Sequence, residues 1–104
     1  MSEHAILKDH QVVLTDFLTW AKWYEAHDRT VAKTSLGITE ISTVFLGLNH
    51  QFGIGPPLWF ETMVFGGQLD QEMDRYTTWE EAERGHLEMV ARVEQAELNK
   101  EVAS

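Results

Sequence analysis

Two apolar, β-rich stretches, 43–48 (TVFLGL) and 58–66 (LWFETMVFG), face each other across a short loop that holds Asn49, His50, Gly53, Gly55, Pro56 and Pro57. Such a pair folds most simply as two neighbouring antiparallel strands, with side chains alternating between the two faces. In the first stretch and the residues before it, Ile41, Thr43 and Phe45 share one face, while Ser42, Val44, Leu46 and Leu48 share the other. In the second, Trp59, Glu61, Met63 and Phe65 oppose Leu58, Phe60, Thr62 and Val64. Large apolar groups on both faces are expected of central strands covered on both sides, or of strands whose second face meets a partner. Asn49, His50, Glu61 and Thr62 are costly to bury unless partners satisfy them, and Arg75 is the natural cross-strand partner for Glu61.

The flanking sequence supplies the rest of an α+β plan. Residues 30–36 (TVAKTSL) and 39–48 are β-branched segments separated by Gly37, which provides the positive φ of a tight hairpin turn. Residues 71–77 (QEMDRYT) alternate weakly and read as a polar edge strand, completing an antiparallel sheet of about four strands. Ahead of the sheet, Phe17, Trp20, Ala21 and Tyr24 recur at helical spacing behind Thr15 or Asp16, either of which can cap a helix. Residues 5–14 (AILKDHQVVL) suggest an extended hairpin. The clearest element is C-terminal. Thr78-Trp79-Glu80-Glu81 is a capping box, and Trp79, Ala82, His86, Met89, Val90 and Val93 form one stripe of a long helix running to about Leu98. Gly85 interrupts that helix at a cost of ~1 kcal/mol relative to Ala, which points to a close approach by another group. The chain is read as one domain over 1–104, with 1–13 and 99–104 expected to be flexible.

Composition narrows the function classes. The 104 residues contain four Trp, five Phe and two Tyr, enough for an interior without staples, and no Cys, which excludes disulfides, thiolate metal sites and thiol nucleophiles. Seventeen acidic against eight basic residues give a formal charge of −9, which opposes direct nucleic-acid binding and favours a basic protein partner. Acid outweighs base more than twofold between Asp70 and Glu101, making one helix face strongly negative. No run approaches the ~20 apolar residues of a membrane span, and the first residues lack a secretory pattern, so a cytoplasmic protein is expected.

Three groupings could carry chemistry. His50, Glu61 and His86 would form an acid–base set or a divalent-metal site if the loop and the C-terminal helix met over the sheet, although no local H-x-x-x-H spacing supports it. The ordinary alternatives are a loop histidine, a strand ion pair and a hydrogen-bonded core histidine. Gly53-Ile54-Gly55-Pro56-Pro57 looks like a phosphate cradle but lacks the following Lys and hydroxyl, and its prolines remove two amide donors, so it reads as a stiff connection. Glu80, Glu81, Glu88 and Glu94 form the candidate interaction face, against the plainer reading of a solvated helix surface.

The runs ISTVFLGLNHQFGIGPPLWFETMVFGG and MDRYTTWEEAERGHLEMV, with the earlier FLTWAKWYEAHDRTVAKT, resemble a family of small bacteriophage, prophage and bacterial proteins. The resemblance covers about residues 14–94. It implies a phage-type context but no activity, and therefore carries over no functional residue. The family pattern has Asp where this chain has Asn49, which counts against a metal site needing a carboxylate there. Size, charge and resemblance together lead to the expectation of a small acidic phage-type accessory protein acting by protein–protein contact. Inhibition of a host defence nuclease, in the manner of acidic anti-CRISPR proteins, is one concrete form. The alternatives are a small metal-dependent or acid–base enzyme at His50, Glu61 and His86, and a homo-oligomeric structural or assembly protein, with a homodimer covering the spare sheet face. No cofactor is expected.

Overall fold

Eight elements follow one another in the computed structural model, which describes residues 3–51 and 53–103. They are β1 (His4–Lys8), β2 (Gln11–Thr15), α1 (Phe17–Ala26), β3 (Thr30–Leu36), β4 (Thr39–Phe45), β5 (Phe60–Phe65), β6 (Met73–Tyr76) and α2 (Trp79–Ala103). The architecture is α+β, with a two-stranded sheet β1-β2 and a four-stranded antiparallel meander in the order β3-β4-β5-β6. Residues 1 and 2 of the expected flexible N-terminus, and residue 104 of the expected flexible tail, lie outside the described residues.

Local chemistry accounts for the turns and caps. Asp9 and His10 have φ of 49° and 66° between the paired Lys8 and Gln11, the doubly positive geometry of a type I′ hairpin turn. Gly37 adopts φ 61° in the two-residue connection between Leu36 and Thr39. Asp16 caps α1 by accepting from the Thr19 amide at 2.8 Å and the Thr19 hydroxyl at 3.0 Å, and the amide bond holds its carboxyl below the usual range. At the start of α2 the Thr78 hydroxyl accepts from the Glu81 amide at 3.1 Å. The Thr78 hydroxyl in turn donates to the Glu81 carboxylate at 3.0 Å, closing the box through the side chain. The helix continues past Leu98 to Ala103, because 99–103 contains neither proline nor glycine to stop it.

One face of the meander is covered. Ile41, Thr43 and Phe45 from β4, with Phe60, Thr62 and Val64 from β5, are buried beneath α2, which crosses all four strands with Ala82, His86, Met89 and Val93 turned inward. Two apolar clusters result. Ile41, Val64, Met89 and Val93 lie under the C-terminal half of the helix. Ala5, Phe45, Trp59, Phe60 and Ala82 lie under its start, where the N-terminal hairpin and Trp23 of α1 complete the packing. The β1-β2 hairpin is bound to the end of β4: the Ala5 amide donates to the Gly47 carbonyl at 2.9 Å and the Asn49 amide to the Glu3 carbonyl at 3.2 Å. It also contributes Ala5 and Ile6 to the interior. Residues 4–13, expected to be flexible, are thus β1, its turn and most of β2, with Ala5 and Ile6 in the core and Leu7 and Val12 packed at its edge.

The other face of the meander carries Lys33, Glu40, Ser42, Val44, Glu61, Met63, Phe65, Met73 and Arg75, and both helices leave it uncovered. Its ion pairs join neighbouring strands, Arg75 to Glu61 at 3.1 Å and Lys33 to Glu40 at 3.0 Å. The Glu61–Arg75 pair is also a register pair of β5 and β6, as the sequence suggests. Trp59, which strict alternation puts on this open face, is only 3% exposed, because it sits just before β5 and packs into the cluster beneath the hairpin.

Gly85 is buried in α2 with the Tyr76 ring against it; a Cβ there would lie 2.2 Å from the ring. This close approach explains a glycine in mid-helix. Helix propensity alone would make Gly85→Ala stabilising by ~1 kcal/mol. The collision with Tyr76 should reverse the sign, with overpacking costing about 1–3 kcal/mol in urea unfolding. The same substitution in a Tyr76→Ala background should recover the gain; Gly85→Ala stabilising the native chain would refute this account.

Candidate functional site

His86 enters the interior from the second turn of α2 because its helical spacing places it between Ala82 and Met89 on the apolar stripe. It is 2% exposed. Its Nδ1 is hydrogen-bonded to Thr43 Oγ1 at 2.7 Å and its Nε2 to Thr34 Oγ1 at 2.8 Å. Thr43 Oγ1 is also 2.5 Å from Thr62 Oγ1 across the β4–β5 ladder. A neutral imidazole offers one donor and one acceptor, and hydroxyls can take either role, so this chain of four side chains is satisfied without any charge. Burial holds the His86 pKa below its ordinary value. Beside the network, burial raises the Tyr76 phenol above its ordinary value.

The three residues expected to converge are separated. Thr62 faces His86, so its neighbour Glu61 projects from the opposite side of the sheet, where it is bound to Arg75. His50 lies half-buried in the loop beyond β4, its amide donating to the Leu58 carbonyl at 3.0 Å. The acid–base or metal arrangement of His50, Glu61 and His86 is thus not assembled: alternation along β5 sets Glu61 and His86 on two faces of one sheet. Among the described residues, no group of three His, Asp or Glu side chains could hold a metal ion. Asn49 instead closes its own loop. Its Oδ1 accepts from the Gln51 amide at 2.9 Å and the Leu58 amide at 3.0 Å, and its Nδ2 donates to Glu3 at 2.9 Å. Two of those three bonds need only an acceptor oxygen, which an Asp would provide equally well.

The proposed interaction residues Glu80, Glu81, Glu88 and Glu94 are all exposed on α2. Glu81 is engaged in the N-terminal cap, while Glu80, Glu88 and Glu94 share the solvent side with Glu83 and with Leu87, which is 69% exposed. Of the arginines nearby, Arg92 is tied to Glu72 at 3.2 Å and Asp74 at 3.4 Å. Arg84 is exposed one turn before Leu87, so the helix surface carries an excess of acid around an apolar point, with one basic group among the carboxylates.

A concavity of about 320 Å³ lies between the β1-β2 turn and the first turn of α2. Pro57, Trp59 and Trp79 form much of its wall, and Glu3 and Glu80 stand at it. His10 stacks on Trp79 with ring centroids 3.7 Å apart and planes 7° apart. Sequence reasoning gave His10 no role, because residues 10 and 79 meet only once the hairpin folds against the helix. The one local signal was Lys8-Asp9-His10-Gln11, a polar run suited to a turn. In comparisons with family models, curated proteins and solved structures, the chain matches none.

Two measurements probe the buried network. Because the folded His86 pKa is depressed, the unfolded chain takes up a proton more readily; the contribution is intact above the unfolded value near 6.5 and is lost as pH falls from there toward the lower folded value. The urea midpoint should fall between about pH 7.5 and 5.5, with a shallower dependence in His86→Gln; equal slopes would exclude His86 as the source. Thr43→Val leaves both the Thr62 hydroxyl and His86 Nδ1 short of a partner. It should destabilise by about 1–3 kcal/mol in chemical denaturation despite its near-equal volume, and a neutral result would show that the network contributes nothing.

Proposed function

We propose that this chain is a non-catalytic interaction module whose acidic helix face engages a basic surface on a protein partner. The observation that carries this reading is the solvent side of α2, where the exposed Glu80, Glu83, Glu88 and Glu94 outnumber the one exposed arginine beside the exposed Leu87, Arg84. Apolar points set among like charges are a common plan for docking faces: the charge steers and orients, and the apolar contact retains. The separation of His50, Glu61 and His86 supports the same reading, since His86 is consumed by threonine hydroxyls and Glu61 by Arg75. The resemblance to bacteriophage and prophage proteins suggests the setting: an accessory protein that binds a host or phage protein. Occupation of the basic nucleic-acid channel of a defence nuclease, as acidic anti-CRISPR inhibitors do, is its most concrete form.

Affinity capture from a bacterial host lysate tests the reading. The native chain should retain a protein partner at roughly 0.15 M salt, where long-range attraction is already screened beyond ~8 Å. Glu88→Gln/Glu94→Gln should reduce that capture by at least about fivefold, a fall of ~1 kcal/mol in binding. Both positions are exposed, so stability should change by less than about 0.5 kcal/mol, which thermal unfolding can verify. Recovery of no protein partner at that salt, or equal capture by the variant, would remove the basis for the proposal.

A further inference from the structure

We infer that the concavity between the β1-β2 turn and the start of α2 is a receptor for an arginine side chain presented by a protein partner. The inference deepens the interaction reading and rests on it; the cleft shares Glu80 with the acidic helix face but lies at the start of α2, away from Glu88 and Glu94. The walls are aromatic and apolar: Pro57, the buried Trp59, and Trp79 with His10 stacked on it. Glu3 and Glu80 supply two carboxylates, and the described residues that line the space include no lysine or arginine. Glu3 is held in place by its hydrogen bond from Asn49 Nδ2, and Glu80 by its position in the first turn of α2.

An arginine suits this combination because its planar guanidinium lies against aromatic rings and pairs with carboxylates at the same time. The long stem of the side chain can occupy the apolar wall while the charge remains at the carboxylates. A volume of about 320 Å³ leaves ample room for one such side chain and falls at the low end of small-ligand sites. The start of a helix ordinarily favours an anion, but here the Thr78 hydroxyl takes one of the free amides, and Glu80 and Glu81 already place negative charge in the first turn. Charge complementarity therefore selects a basic occupant over a phosphate or an acidic peptide.

The four tryptophans provide the readout. In ¹H–¹⁵N spectra of the full chain titrated with acetyl-Arg-Leu-amide, saturable shifts should appear in the indole N–H signals of Trp59 and Trp79 and leave those of Trp20 and Trp23 in place. Glu80→Gln and Glu3→Gln should each weaken binding by about fivefold, the upper range for removing one charge of an exposed pair. The second variant keeps the acceptor oxygen that Asn49 uses, and unchanged Trp20 and Trp23 signals will report that both variants are folded. The assignment is overturned by the absence of a saturable shift, or by an equal response to acetyl-Lys-Leu-amide, acetyl-Glu-Leu-amide or inorganic phosphate. It is also overturned if the same signals move with protein concentration alone, which would seat a second copy there. A silent cleft in a chain that still captures its partner through Glu88 and Glu94 would overturn this inference and leave the helix-face reading standing.

Discussion

The hydrogen-bonded run Thr34–His86–Thr43–Thr62 ties three strands and the long helix to one another at the middle of the covered face. Apolar packing alone would tolerate small slips of α2 along the sheet, because Met89, Val93 and Ala82 could find other apolar neighbours. The polar run tolerates none, since a buried hydroxyl or imidazole nitrogen without a partner costs roughly 1–3 kcal/mol. The helix is thereby fixed in register over β3, β4 and β5. From that placement follow the seating of the Tyr76 ring on Gly85, the meeting of Trp79 with His10, and the outward direction of Glu80, Glu83, Glu88 and Glu94.

The two faces of the sheet solve their polar problem differently. Inside, threonines and a neutral histidine satisfy one another without charge. Outside, Glu61 and Arg75, and Lys33 and Glu40, are paired in partial contact with water, with Val44 and Met63 between them half-buried. Charges on the open side are compatible with solvent, whereas an ion pair under α2 would have to offset a desolvation cost that its attraction rarely repays. The same division places the molecule's recognisable surfaces. The acidic groups lie on the outside of α2 and around the cleft at its start, while the histidine most open to a catalytic interpretation is sealed in the core.

Several features were legible from the chain because they depend on neighbours in sequence or on regular alternation. The Gly37 turn, the Thr78–Glu81 cap, the inward stripe of α2 and the pairing of Glu61 with Arg75 all rest on short-range geometry or on one strand register. Gly85 was readable as a close approach, though its neighbour Tyr76 was not. The proposed meeting of His50, Glu61 and His86 went astray for a related reason. It used sequence to place each residue near the sheet but not to decide which side of the sheet each would occupy, and alternation put Glu61 opposite the Thr62 side chain that faces His86. The cleft was illegible because it joins a turn at residue 10 to a helix start at residue 79, with no local pattern linking them.

The amino-acid sequence by itself determined the α+β class, the four-stranded meander, the long capped helix and the excess of acid, since periodicity, turn residues and formal charge are properties of local sequence. Tertiary structure alone decided that both helices leave one sheet face open, that His86 is spent on threonine hydroxyls, and that His10, Trp59 and Trp79 enclose a cleft with Glu3 and Glu80 beside it. Those outcomes depend on which side chains from distant segments can satisfy one another when water is removed, a condition set by the packed arrangement as a whole.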